Sequence, residues 1–130
     1  MSAKLHYLIL CDGVTAVQGK KYLLGIFKTI FAGKFPCMHP ECALAAEISC
    51  SEGEHSVSVH IVDSSGKDVL PPTPELKLKA DGPFGIIDPV FQLRNLPLQK
   101  PGMYQFQLSM DGEVIGVRDF LVEKVNPPQP

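Results

Sequence analysis

The segment Tyr104–Val122 decides the fold class, and its sequence is YQFQLSM-DG-EVIGVRDFLV. Every second residue of its first part is apolar, which is typical of a β-strand that buries one face. These apolar residues are Tyr104, Phe106, Leu108 and Met110. Asp111-Gly112 follows at once, and an Asp-Gly pair between two such runs is a strong hairpin signal because a tight turn needs residues at positive φ. The segment therefore predicts an antiparallel pair of strands.

The second arm of this hairpin changes phase along its length. Ile115 and Val117 share one parity, whereas Phe120 and Val122 share the other. A β-bulge moves the following side chains of a strand to the opposite face. We therefore expect a bulge near Arg118-Asp119.

Further strands are predicted throughout the chain, which Pro (12 residues) and Gly (11 residues) interrupt at short intervals. In the clearest one, His55–Val62, three apolar residues alternate with polar ones, and no stretch shows the 3.6-residue period of a helix. The other predicted strands are Leu5–Cys11, Tyr22–Phe31, Ala43–Cys50, Leu76–Ala80 and Val90–Leu96. With the hairpin, these runs predict an all-β fold of about eight strands.

Eight strands in a chain of 130 residues favour a two-layer antiparallel sandwich of immunoglobulin-like type. Residues 1–125 are expected to form its single domain, and the Pro-rich residues 126–130 to form a frayed tail. The turn before Tyr104 resembles the corner in such sandwiches where a tyrosine hydroxyl bonds to the upstream backbone. The chain has no Trp and no Cys two residues after Tyr104, so an antibody-type domain is excluded.

Charge and hydropathy exclude several classes of partner. Lys and Arg number 12 against 14 acidic residues, so the net charge is −2, and Arg94 and Arg118 are the only arginines. A nucleic-acid partner is not expected, because such binders need a basic face. A membrane partner is not expected either, since no stretch approaches the roughly 20 apolar residues of a span.

The four cysteines and the N-terminus favour a cytoplasmic protein. The first apolar run is only about seven residues long and no small-residue cleavage site follows it, so it does not resemble a signal peptide. In a cytosolic chain the default for Cys11, Cys37, Cys42 and Cys50 is reduced, buried thiols. We expect no disulfide and no cofactor.

One cluster of residues carries metal-like side chains. Cys37, His39 and Cys42, with Cys50, could supply four zinc ligands. However, zinc knuckles place two residues between their cysteines, and four residues separate Cys37 from Cys42. We therefore assign no metal site, and no catalytic residue either, because no nucleophile signature surrounds any of the four histidines.

The segment Phe31–Pro40 is the better candidate for a binding site. Its apolar side chains lie in a stretch stiffened by Gly and Pro, which would pre-organise them for a partner groove. The interaction candidates are Phe31, Phe35, Pro36, Met38 and His39. The alternative is a loop that folds back and plugs the open end of the sandwich.

Two N-terminal runs, Leu5–Cys11 and Tyr22–Phe31, are apolar on nearly both parities. A two-layer sandwich buries one face of each strand, so some of Leu8, Leu10, Leu24 and Ile26 would remain exposed. A twofold homodimer through these strands would cover them. The alternative is that the C-terminal segment or the Leu76 strand covers them within one chain.

Several short segments together resemble a family of small bacterial cytoplasmic proteins of unknown function. They are Cys11-Asp12-Gly13, Gly25-Ile26-Phe27, the stretch Phe31–Pro40, Pro101–Tyr104 and Asp111-Gly112. The resemblance implies a β-sandwich and no assigned activity. The sequence thus predicts a non-catalytic binding or assembly module that acts through protein contacts with an unidentified partner. The alternative is a small-molecule or metal-binding domain, or an enzyme, that uses Cys37, His39 and Cys42.

Overall fold

A computed structural model describes residues 3–71, 73–80 and 85–126 of the chain. These residues form ten strands: β1 Lys4–Val17, β2 Lys20–Ile26, β3 Thr29–Ala32, β4 Cys37–Ser49, β5 Gly53–Asp63, β6 Leu76–Ala80, β7 Ile86–Ile87, β8 Val90–Leu98, β9 Gly102–Met110 and β10 Glu113–Lys124. The all-β fold class is confirmed. Among the described residues no helix is long and apolar enough to cross a membrane. The predicted tail lies outside the described residues, except for Asn126.

Two sheets form the structure. The first has the order β2-β1-β4, with β7 and β8 both paired to the far edge of β4, and the second has the order β3-β10-β9-β5-β6. Their facing sides bury the alternating apolar residues that the sequence indicated, namely Val57, Val59 and Ile61 of β5 and Tyr104, Phe106, Leu108 and Met110 of β9. Each such side chain contributes roughly 1.5–3 kcal/mol of stability when it is removed from water.

The tyrosine corner is present at the start of β9. The Tyr104 hydroxyl donates a hydrogen bond of 2.6 Å to the Lys100 carbonyl oxygen. The Tyr104 ring also stacks on Phe120, with 5.4 Å between ring centroids. The corner thus joins the entry of β9 to β10 inside the core.

The bulge in β10 lies earlier than the sequence predicted. The register between β10 and β9 shifts between Val114 and Gly116, and it is regular through Arg118 and Asp119. A side chain at Gly116 would overlap the Leu5 side chain of β1. The bulge therefore lies where the two sheets approach each other, and a larger residue here would displace the flexible end of the Leu5 side chain.

The run Tyr22–Phe31 is not one strand, as predicted, but two strands in different sheets. β2 ends at Ile26 in the first sheet, and β3 begins at Thr29 in the second. β3 pairs with β10 in parallel, so the second sheet is mixed, whereas the prediction was fully antiparallel. This split, together with the short strand β7, raises the number of strands from eight to ten.

The β1–β2 hairpin explains why β1 is apolar on both faces. Leu8 and Leu10 point into the core and not to the surface. The Lys21 ammonium lies 3.1 Å from the Asp88 carboxylate, although β1 and β4 separate β2 from Asp88 in the sheet. Residues 13–24, which we call the arm, therefore bend towards Asp88 over the outer face of the sheet. Cys11, Ala43 and Ala45 are completely buried although they do not belong to the core between the sheets, and we assign the arm as their cover.

The β9–β10 turn gives the first testable prediction. Asp111 and Gly112 have φ values of 50° and 85°, as a type I′ turn requires. Gly112→Val should lower the free energy of unfolding by roughly 1 kcal/mol or more, because a β-branched residue disfavours positive φ. Gly13→Ala is the matched control, since Gly13 has open space around its Cα. Chemical denaturation should show a lower midpoint for Gly112→Val only, and equal midpoints would contradict the turn assignment.

Candidate functional site

The five predicted interaction residues do not lie on one loop. Phe31 belongs to β3 and is 61% exposed, while Met38 belongs to β4 and is 63% exposed. Phe35 is half-buried and packs against the core, and Pro36 is exposed in the short connection before β4. The loop was predicted to extend to Pro40, but Met38, His39 and Pro40 pair with β8 as part of β4.

His39 faces the interior side of β4 and not the solvent. Its ring lies against Phe27, with 5.9 Å between the ring centroids. Its Nε2 atom is buried and has no hydrogen-bond partner among the described residues. His39 therefore supports Phe27 from beneath, and it does not present a surface imidazole.

The structure does not bring Cys37, His39 and Cys42 together as a ligand set. Cys42 is fully buried in the core, and Cys37 packs against that core from the side. Burial raises the pKa of the Cys42 thiol to about 11, which disfavours the thiolate that metals bind. Within residues 3–71, 73–80 and 85–126, no three His, Cys, Asp or Glu side chains could hold a metal ion.

A surface depression of about 440 Å³, largely open to solvent, lies where the chain passes from β2 to β3. We call it the crossover cavity, and its lining residues are Ile26, Phe27, Lys28, Thr29, Phe31 and Arg118. Its walls are mostly apolar, because β2 and β3 each contribute the end of an apolar strand. Phe31 is the one predicted interaction residue that lines it, and His39 supports it through Phe27.

Arg118 is the lining residue that the sequence analysis missed. It belongs to β10 and shares the inward parity of Phe120 and Val122. Its Nε atom is buried and has no acceptor among the described residues. An unsatisfied buried donor of this kind costs free energy and calls for an explanation. The alternation of β10 could have identified Arg118 from the sequence. If the bulge is placed at Gly116, Arg118 lies on the buried face of the strand.

A second polar cluster lies at the other end of β10. His55 Nδ1 is 2.6 Å from Asp111 Oδ2, and His55 Nε2 is 2.7 Å from the Ser51 carbonyl oxygen. The Ser51 hydroxyl is 3.5 Å from the same Nε2. An Asp-His-Ser arrangement is typical of nucleophilic catalysis, but there the Nε2 must accept the serine proton. Here both ring nitrogens face oxygen acceptors, Asp111 and the Ser51 carbonyl, so Nε2 is not placed to accept the proton of the Ser51 hydroxyl.

The charge state of this cluster follows from its hydrogen bonds. The bond to Asp111 and the bond to the Ser51 carbonyl raise the pKa of His55 above its usual range. The same contact with His55, together with the Ser56 amide, lowers the pKa of Asp111. Asp111 also bonds through its backbone N–H to the Ser56 carbonyl oxygen. The pair therefore ties the β9–β10 turn to β5.

Comparison with known proteins identifies a family but no activity. The profile of a family described as "Family of unknown function (DUF6941)" matches residues 6–123. This match confirms the resemblance to a family without assigned function. No curated protein matches the chain.

Several solved structures share the fold. A domain of the Pseudomonas fluorescens alkylpurine DNA glycosylase AlkC, bound to DNA containing an abasic site analog, is 14% identical with a TM-score of 0.54. The match covers 93% of this chain and 30% of that one. A β-glucosidase from Listeria innocua in complex with glucose is 13% identical, with a TM-score of 0.55 and coverage of 96% and 17%. The chain spans less than a third of these proteins, and the likeness shows the fold alone.

The His55–Asp111 pair predicts a specific dependence of stability on pH. A raised histidine pKa contributes stability that is complete below about pH 6.5 and is lost as the pH rises through the folded-state pKa. A lowered aspartate pKa contributes stability that is complete above about pH 4 and is lost as the pH falls. The stabilisation of wild type over His55→Gln should therefore be greatest near pH 5–6 and should shrink towards pH 9 in thermal unfolding.

His60→Gln is the matched control for this experiment, because His60 is a more exposed histidine of the same strand, 3.6 Å from Asp68. It should change the melting temperature less at every pH. A difference between wild type and His55→Gln that stays constant from pH 5 to pH 9 would show that His55 is not charged by its partners.

Proposed function

The chain belongs to the family of unknown function DUF6941, and we propose that it is a non-catalytic binding module that acts through protein–protein contacts. One observation carries this proposal. The solvent side of β2 presents three large exposed side chains, Tyr22, Leu24 and Ile26, which we call the arm face.

The arm face is more apolar than a free surface needs to be. Leu24 and Ile26 are 54% and 60% exposed, and Ile26 also lines the crossover cavity together with Phe31. The apolar surface therefore continues from the arm to β3. Contiguous exposed apolar surface of this kind marks sites of protein contact.

The arm is also held in place before any partner binds. Lys21 contacts both the carboxylate and the backbone carbonyl of Asp88, so the end of the arm is fixed to the segment between β7 and β8. A pre-organised surface loses less conformational entropy on association than a flexible one. This supports a role of the arm face as an interface.

A second copy of the chain is the first partner we propose. Most soluble oligomers are twofold homodimers, in which the same patch on both copies is self-complementary. An arm face against an arm face would bury Leu24 and Ile26 of both chains. We place this dimer in the cytoplasm, and the four free thiols Cys11, Cys37, Cys42 and Cys50 support a reducing compartment.

Sedimentation of the purified chain tests this proposal. Wild type should form a species of twice 14.2 kDa at micromolar concentration. Leu24→Glu should give a folded monomer, because it adds a charge to the centre of the interface without touching the core. Leu76→Glu is the matched control, since Leu76 is exposed on β6 at the far side of the second sheet.

The two variants make the result decisive. Circular dichroism should show the same β spectrum for wild type and both variants, and Leu76→Glu should remain dimeric. A wild-type chain that sediments as a single 14.2 kDa species at every concentration would overturn the homodimer. A Leu24→Glu variant that stays dimeric would overturn the arm face as its interface.

A further inference from the structure

β3 is an edge strand that leaves hydrogen-bonding groups free. It lies at the end of the second sheet, and within the described parts of the chain it pairs only with β10. The Leu121 N–H donates to the Lys28 carbonyl, and the Val125 N–H donates to the Ala32 carbonyl. In a parallel pair, alternate residues direct both backbone groups to the same side. The N–H and C=O groups of Thr29 and Phe31 therefore point away from β10, towards the open edge.

The same two residues line the crossover cavity. A chain that paired with the open edge of β3 would thus lie in contact with the cavity. The volume of about 440 Å³ has room for a few side chains of such a chain, and its walls include Ile26 and Phe27. Free backbone groups beside an apolar pocket are the combination that proteins use to bind extended peptides by strand addition.

The charge of the cavity indicates one further feature of the ligand. Lys28 and Arg118 are both cationic, and none of the six lining residues is acidic. Arg118 forms no ion pair among the described residues. A carboxylate binds such a guanidinium with a charge-assisted hydrogen bond, which is stronger than a neutral one.

We propose that β3 binds an extended segment of a partner protein that pairs with Thr29 and Phe31 and places an acidic side chain on Arg118. The peptide backbone pairs with the free edge of β3, its apolar side chains occupy the crossover cavity, and its carboxylate pairs with the Arg118 guanidinium. This proposal shares with the proposed function the premise that the chain acts through protein contacts. It does not require the arm-face dimer, although Ile26 belongs to both surfaces.

The arginine content of the chain makes the site directly observable. Arg94 and Arg118 are the only arginines, so the Nε–H region of a ¹⁵N-correlation spectrum should contain two signals, and Arg118→Lys identifies the one of interest. The probe is an acetylated and amidated octapeptide of alternating Val and Thr with one central Asp. Its addition should shift the Arg118 Nε–H signal and the backbone amides of Thr29 and Phe31 along one saturable curve.

Three matched comparisons separate the parts of the proposal. An otherwise identical peptide with Asn in place of Asp should bind about tenfold more weakly. The Arg118→Gln variant should bind the Asp peptide with an affinity reduced by the same factor, whereas Arg94→Gln should bind it as wild type does. Thr29→Pro removes one edge N–H and should weaken binding, whereas Thr29→Val retains that N–H and should not. If Thr29→Pro does not fold, a backbone N-methylated peptide tests the same hydrogen bonds with the wild-type protein.

Several outcomes would overturn the proposal. Equal binding of the Asp and Asn peptides would show that no carboxylate is recognised. Unchanged binding of the N-methylated peptide would show that the peptide does not pair with β3 as an added strand. No shift of Thr29, Phe31 and Arg118 at millimolar peptide would overturn the site as a whole. Self-association that Thr29→Pro abolishes and Leu24→Glu does not would show that a second copy occupies this edge. The proposal fails in each case, while a dimer broken by Leu24→Glu would leave the proposed function intact.

Discussion

The passage of the chain from one sheet to the other between Ile26 and Thr29 is the constraint on which the rest of the structure depends. Because β2 belongs to the first sheet and β3 to the second, the connection closes one side of the sandwich. β3 runs in the same direction as β10, which gives the one parallel pair among the described strands. It reaches β10 only at Leu121, so Arg118 lies beside the gap before β3 begins. The crossover cavity is this gap.

The sequence predicted the elements that are determined by interactions between residues close together in the chain. Alternation assigned β5 and β9 to one buried face each, and Asp111-Gly112 fixed the β9–β10 turn because few residue pairs tolerate two positive φ values. The tyrosine corner was predictable for the same reason, since Tyr104 bonds to a carbonyl only four residues upstream. The all-β class followed from these signals together.

The sequence did not predict the features that depend on distant contacts. The run Tyr22–Phe31 is apolar on both parities, but this pattern does not show in which sheet each half lies. The bulge was misplaced because alternation within β10 does not show which residue is extra, and the close approach of Leu5 to Gly116 joins residues more than a hundred positions apart. That misplacement also concealed Arg118, because the face of each β10 residue depends on where the bulge is.

The polar side chains of the fold differ in how many hydrogen-bond and ion-pair partners they have. This difference distinguishes groups with a structural role from groups that could bind a ligand. Both ring nitrogens of His55 have acceptors, and Asp111 accepts from both His55 and Ser56. A cluster with every partner present stabilises the fold and has no capacity left for a ligand. Arg118 of β10 differs, because it forms no ion pair among the described residues and lines an apolar cavity. The crossover cavity is therefore the better place to look for a ligand.

The arm shows how a thin sandwich can bury a strand on both faces. In β4, Ala43, Ala45 and Ala46 are all fully buried, although alternate residues of a strand point in opposite directions. One face meets the core, and we assign the arm to the other, where small side chains allow a close approach. The alanines of this segment suit a strand that is covered on both faces. The outer face of β2 has no cover of its own, and it carries Leu24 and Ile26. The apolar surface of β1 and β4 is therefore buried, but an apolar surface on β2 is exposed.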